Sequence, residues 1–368
     1  MIMVKEIYKF INDIAPFNSS FDWDNTGLLI GDMGQNVSNV LVALDVTKEV
    51  ISEAVDFDCN LIISHHPVIF KPVKNILNGS IPYLAVKNNL NVICAHTNLD
   101  LANEGVNKCL ANKLNLKNIR PLCKSNRLEY NKIIVFSPPK YENDIIKAMS
   151  ENGAGKLGNY SMCSFISDGT GRFLPESGAK PYIGEKGVLE EVKEVKIEMI
   201  CPENRTKSAI KAMKAVHPYE EPAYDVFKDF SVYKEYYDGI IGDLEVPMDS
   251  IKFAEFIKEK LNCEGLRYTE IDQKIIKKVA LCGGAGGNYI RDAVKSEADA
   301  FVTGEIKHSD ILEANHSGVM VVDAGHFKTE NLAIDNFKNI LEKKFKEITF
   351  YKSEVLIDKI KYLHSRFS

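Results

Sequence analysis

Val92-Ile93-Cys94-Ala95-His96-Thr97-Asn98-Leu99-Asp100 and, far downstream, Val322-Asp323-Ala324-Gly325-His326-Phe327-Lys328-Thr329-Glu330 align without a gap. Each reads as an apolar strand, a histidine at its end, and a carboxylate one helical turn later. Upstream, Val42-Ala43-Leu44-Asp45 with Ile62-Ile63-Ser64-His65 is echoed by Val279-Ala280-Leu281-Cys282 with Phe301-Val302-Thr303-Gly304. Two matches in the same order predict two related α/β halves. Short apolar runs at 40–44, 61–64, 91–95, 279–282, 300–303 and 319–322 alternate with helix-like stretches. Near-continuous apolar strands of this kind belong to sheets covered on both faces.

A second repeat lies between the halves. Lys132-Ile133-Ile134-Val135-Phe136-Ser137-Pro138 precedes Ile146-Lys147-Ala148-Met149, and Lys196-Ile197-Glu198-Met199-Ile200-Cys201-Pro202 precedes Ile210-Lys211-Ala212-Met213 at the same offset. Each copy reads as strand, proline turn and helix. With strand-like stretches at 161–167, 172–174 and 223–227, the middle predicts a ferredoxin-like α+β insertion. The expected layout is 1–125 and 237–368 as the two halves of a metal-binding domain, with 126–236 inserted. Gly153, Gly155, Gly158 and Tyr233, Tyr236, Tyr237 are the candidate hinges. At 368 residues the chain is too long for one ordinary core, which agrees with more than one domain.

Composition narrows the function. The chain is 45% hydrophobic and 26% charged, with a formal net charge of -5. That balance makes nucleic acid an unexpected partner. The first residues carry apolar side chains at helical spacing (Val4, Ile7, Ile11) before Pro16, with no basic segment leading into a long apolar run, so no secretory signal is expected. No apolar stretch approaches the ~20 residues of a membrane span. None of the eight cysteines forms a C-x-x-C pair; reduced, buried thiols in a cytoplasmic protein are expected.

The histidines carry the chemistry. Ser64-His65-His66-Pro67 puts two imidazoles at a strand end, where α/β folds open a crevice. Taken singly, His65 and His66 read equally as loop histidines. Asp100 reads as a helix N-cap, and His326 with Glu330 as a solvated helix start. Only eight histidines are present, and several stand at strand ends beside carboxylates. Together His65, His66, Asp100, His326 and Glu330 suit two divalent ions per chain, Zn, Fe or Mn. Carboxylates that bridge would hold such ions ~3.5–4 Å apart, the spacing of hydrolytic two-metal sites. His96 is either a sixth ligand or a proton shuttle behind the ligands. With Glu305 it forms the candidate catalytic pair, and Glu305, Asp45 and Thr97 are equally readable as polar strand caps. The run Gly283-Gly284-Ala285-Gly286-Gly287 reads as a tight turn; Tyr289 stands where a dinucleotide fingerprint needs glycine. His308 and His316 have no evident partners, and Trp23 reads as a structural loop residue.

The chain resembles the Nif-three-like (NIF3-like) family, also named GTP cyclohydrolase I type-two homologues. The resemblance rests on Asp22-Trp23-Asp24-Asn25-Thr26-Gly27-Leu28, Ile63-Ser64-His65-His66-Pro67, Ala95-His96-Thr97-Asn98-Leu99-Asp100, Thr303-Gly304-Glu305 and Asp323-Ala324-Gly325-His326-Phe327-Lys328-Thr329-Glu330. It implies a dinuclear metal centre at His65, His66, Asp100, His326 and Glu330, and a toroidal hexamer built as a trimer of dimers. The insert resembles the PII/CutA-like domain of long family members through His217-Pro218-Tyr219-Glu220-Glu221-Pro222. From its own residues that motif reads as a proline-flanked turn into an edge strand, with a small-ligand or metal site as the alternative. Family members commonly carry Asp where Glu305 stands, and many have His where Ser309 stands, one position after His308. The implied function is a metal-dependent hydrolase acting on a nucleotide or similar small molecule, although no guanine- or triphosphate-binding signature is present. The alternatives are a metal-handling or regulatory protein without turnover and a scaffold stapled by metal.

Overall fold

The computed structural model describes residues 1–158, 160–355 and 358–363. In chain order its strands are β1 (Gly27–Ile30), β2 (Asn39–Ala43), β3 (Cys59–Ser64), β4 (Asn91–Cys94), β5 (Lys117–Ser137), β6 (Phe165–Phe173), β7 (Glu190–Pro202), β8 (Tyr224–Asp249), β9 (Arg267–Tyr268), β10 (Ile275–Leu281), β11 (Ala300–Thr303), β12 (Met320–Asp323) and β13 (Thr349–Lys352). The chain divides into two compact units: Met1–Asn126 with Tyr236–Ser368, and Arg127–Glu235.

The first unit is mixed α/β. One of its sheets has the order β1-β4-β3-β2-β13. The strands β4, β3, β2 and β13 run parallel, and β1 closes the edge antiparallel to β4. In the other, β10, β11 and β12 are parallel, flanked by antiparallel β9 and the C-terminal part of β8. The apolar runs form these strands because every residue of β4, β11 and β12 is buried, as a doubly covered sheet requires. The N-terminal helix Val4–Ile14 turns Val4, Ile7 and Ile11 onto the first sheet, where they meet Val42, Ile63 and Ile93.

The last strand and the last long helix do not stay with the second half. β13 pairs parallel with β2, and the helix His326–Lys344 buries Ile334, Phe337 and Leu341 in the core of the first sheet. The opposite end of that helix follows β12 of the second sheet. One helix therefore ties the two sheets and delivers its first turn to the strand ends of both.

The second unit runs strand, helix, strand, strand, helix, strand. β7 lies between β6 and the Tyr130–Ser137 part of β5, antiparallel to both, and the start of β8 lies along β5. The helices Glu142–Glu151 and Glu203–Val216 cover one face, with Ile145, Met149, Ala209 and Met213 packed on Ile133, Val135, Ile197 and Met199. Three local expectations change here. β6 starts at Phe165, so the stretch 161–164 is loop and 172–174 belongs mostly to the same strand. Gly153 and Gly155 adopt positive φ at the end of a helix inside the unit. Tyr233, Tyr236 and Tyr237 lie within β8. Among the described residues no helix is long and apolar enough to cross a membrane, and all eight cysteines are free thiols.

Candidate metal centre

His65 and His66 follow β3 directly, but the ladder does not stop with the strand. Their backbone N–H groups donate to the carbonyls of Ala43 and Leu44 at 3.1 and 2.8 Å, which fixes both before Pro67 turns the chain. Asp100 ends the short helix Thr97–Asp100, whose N-cap is His96; Asp100 is thus not the cap itself. His326 opens the long helix and Glu330 sits one turn in, on the same face.

These side chains converge. Glu330 Oε2 lies 2.9 Å from Nε2 of His66, 2.9 Å from Nε2 of His326 and 3.8 Å from Nε2 of His65. His65 Nε2 is 3.6 Å from Asp100 Oδ1, and the Nε2 atoms of His66 and His326 are 3.3 Å apart. Three overlapping groups have ligand atoms close enough to share an ion: His65, His66, His96; His66, His326, Glu330; and His65, Asp100, Glu330. Thr97 donates to Asp24 behind the site, and His308 and His316, on the helix His308–His316, stay outside these groups.

The far nitrogen of each imidazole is already engaged. His65 Nδ1 donates to the Ala95 carbonyl at 2.9 Å. His66 Nδ1 donates to Asp45 at 2.7 Å and His96 Nδ1 to Asp24 at 2.8 Å. His326 Nδ1 lies 3.2 Å from Glu305. A carbonyl or carboxylate can only accept, so each Nδ1 carries a proton and each Nε2 faces inward, where it offers a lone pair to an ion once its own proton is displaced. His65 is 2% exposed and its Nε2 is buried with no hydrogen-bond partner. A buried, orphaned nitrogen in a ring of imidazoles and carboxylates is costly alone and fits a divalent cation with imidazole and carboxylate ligands.

Electrostatics follow the same geometry. Burial opposes the charge on Glu330, but the hydrogen bonds from His326 and His66 outweigh it, with His65 close by at 3.8 Å, and hold the carboxyl well below its usual range. Burial, then the charges of Glu330 and Asp238, push Asp100 well above its usual range. Burial also opposes protonation of His66, yet Asp45 and Glu330 hold its pKa up at about 10.

Three contributors were not singled out from sequence. Asp24 holds His96 and accepts from both the Thr97 amide (3.1 Å) and hydroxyl (2.6 Å). Buried Asp238 accepts from Asn107 at 2.8 Å and from Tyr289, and Asn107 in turn accepts from the Gly283 amide at 2.9 Å. The glycine-rich turn has a steric reason: Gly284 stands at φ +60°, and a Cβ there would collide with the Glu330 carboxylate. Trp23 is not packed away in its loop. It is 58% exposed, stacks on Phe21 at 5.5 Å, and its ring lies 6.2 Å from His96 and 5.9 Å from Phe70.

The family description Duf34/NIF3 (NGG1p interacting factor 3) matches residues 2–359. The chain belongs to this family. A Staphylococcus epidermidis relative named "GTP cyclohydrolase 1 type 2 homolog" is 38% identical over 366 residues, covering 98% of this chain and 99% of its own. A Bacillus subtilis relative of the same name is 38% identical over 327 residues, 88% of each chain. Among solved structures, a Bacillus cereus protein related to NIF3 is 36% identical with a TM-score of 0.72, covering 98% of this chain and 99% of its own. A Staphylococcus aureus protein follows at 32% and 0.70, with the same coverage. HcgD from Methanocaldococcus jannaschii shares the fold at 20% identity and a TM-score of 0.56, covering 96% and 98%.

Proposed function

We propose that this member of the Duf34/NIF3 family holds two divalent metal ions and hydrolyses a nucleotide-like small molecule. The carrying observation is the ring of imidazoles with Nδ1 anchored outward and Nε2 turned onto Glu330 and Asp100. One ion would be held by His65, Asp100 and Glu330 and the other by His66, His326 and Glu330, with Glu330 shared. When bound, such ions supply Lewis acidity and make water a better nucleophile near neutral pH. Structural zinc prefers closed four-ligand sites, often with Cys, and no cysteine belongs to the three groups.

The chain's own side chains supply the rest. His96, with Asp24 behind its Nδ1, is placed to take or give a proton at Nε2. Glu305, 62% exposed, orients His326. The exposed Trp23, beside Phe21 and Phe70, offers a stacking face to a flat ring at the edge of the site; this supports the nucleotide-like class. The element order of the inserted unit supports reading it as ferredoxin-like, of the PII/CutA kind. The loop bearing Phe70, Val73, Ile76 and Leu77, each about half exposed or more, supports self-association, and we carry the hexameric trimer of dimers as part of this reading.

The test is elemental analysis of wild type and Asp100→Ala, followed by a nucleotide screen. About two metals per wild-type chain, loss in the variant, and turnover that stops on chelation and returns with one metal are expected. Two metals with no turnover would leave a metal-handling or regulatory protein. A wild type that takes up no Zn, Mn or Fe would overturn the reading.

A further inference from the structure

We infer that the inserted unit carries its own ligand site, for an organic cation, in the cavity walled by Phe173, Tyr182, Tyr219 and the Glu194 carboxylate. The cavity measures about 930 Å³ and lies between β6, the loop that follows it, β7 and the turn before β8. That is room for a whole small molecule.

Four observations set the chemistry. Tyr219 stands within 6.1 Å of Phe173 and 6.2 Å of Tyr182, ring centre to ring centre, at tilts of 59° and 46°. Non-parallel aromatic faces around one space attract a cation through their quadrupoles. Glu194 then supplies a formal counter-charge. Its carboxylate lies over the bare backbone of β6, where a Cβ at Gly171 would collide with it, and among the described residues no cation pairs with it. The Tyr219 hydroxyl is buried and turned to the same carboxylate, which holds the ring and the counter-charge together at the cavity wall.

The charge around the cavity points the same way. Carboxylates outnumber basic side chains in the lining, and Arg172 and Lys196 are already paired with Glu191 and Glu198. An anion would meet net repulsion. A metal is disfavoured as well, since the described metal-capable clusters all lie in the other unit. His217, the residue of this motif most suggestive of chemistry, is occupied structurally. Its Nε2 donates to the Phe136 carbonyl at 2.9 Å and its Nδ1 accepts from the Tyr219 amide at 3.1 Å, so it fixes where Tyr219 points.

The probes are choline and tetramethylammonium, titrated calorimetrically into the full chain. The neutral carbon analogue 3,3-dimethylbutan-1-ol and inorganic phosphate are the controls. Saturable binding of the cations, at least about tenfold weaker binding of the neutral analogue, and none of phosphate are expected. Glu194→Gln should weaken choline binding about tenfold or more and Tyr182→Ala severalfold, with melting temperatures confirming that both fold. Cations that show no binding up to about 10 mM, a neutral analogue that binds equally well, or an unaltered affinity in folded Glu194→Gln would each overturn the assignment.

Discussion

Replacing Glu330 by Gln tests the centre at its most connected point. The side chain keeps its shape and loses its charge. Its Oε2 now stands 2.9 Å from two imidazole nitrogens and 3.8 Å from a third. In the metal-bound form the ions replace the imidazole protons against this oxygen; if each charged contact is at least as strong as a hydrogen bond to a charged group, about 1.5–3 kcal/mol, two of them give about 3–6 kcal/mol of preference for a carboxylate at this position. Passed to a bound cation, that is about a hundredfold to ten-thousandfold in metal Kd. The assay is dialysis against graded chelator followed by elemental analysis, wild type beside variant, with circular dichroism of the metal-free forms to show that both are folded. The variant should release its metal at far lower chelator. Overlapping curves for two folded proteins would refute the claim that Glu330 is the shared ligand.

Other expectations follow from the same geometry. Asp45→Asn weakens the outward anchor of His66; metal affinity should fall about 10- to 100-fold, and the His66 pKa, read by NMR in metal-free protein, should drop from about 10. Because that pKa is raised, metal-free His66 is protonated at pH 8 and an incoming ion must displace its proton. Affinity should therefore rise about tenfold per pH unit towards pH 10 on this group. Calorimetry at pH 8 in buffers of different ionisation heat should detect about one proton released, and a buffer-independent heat would contradict it. Gly284→Ala meets both a left-handed backbone and the Glu330 carboxylate; a loss of about 1 kcal/mol or more and weaker metal binding should appear together in melts with and without metal. Trp23→Ala should leave metal content intact and raise KM for a nucleotide substrate about tenfold, while an unchanged KM would remove the stacking role.

The sequence by itself marked most of the parallel core strands, from β2 to β4 and from β10 to β12, and nominated the candidate ligands. Those signals are local: an apolar run such as Val321-Val322 can only be buried, and His326 and Glu330 share a helix face by spacing alone. In the middle, two strand-turn-helix copies repeat at one offset, and Arg127–Glu235 forms a compact unit. Tertiary structure alone decided what these pieces do together. No pattern announces that β13 leaves its half to pair with β2, since strand partners are chosen by long-range packing. Asp24 and Asp238 received no role of their own from the sequence because their meaning lies in partners far along the chain, His96 and Asn107. Trp23 looked structural because exposure cannot be read from residue type. The candidate centre belongs to this second class: packing brings four histidines close to one another, and the direction of each ring is set by the acceptor behind it.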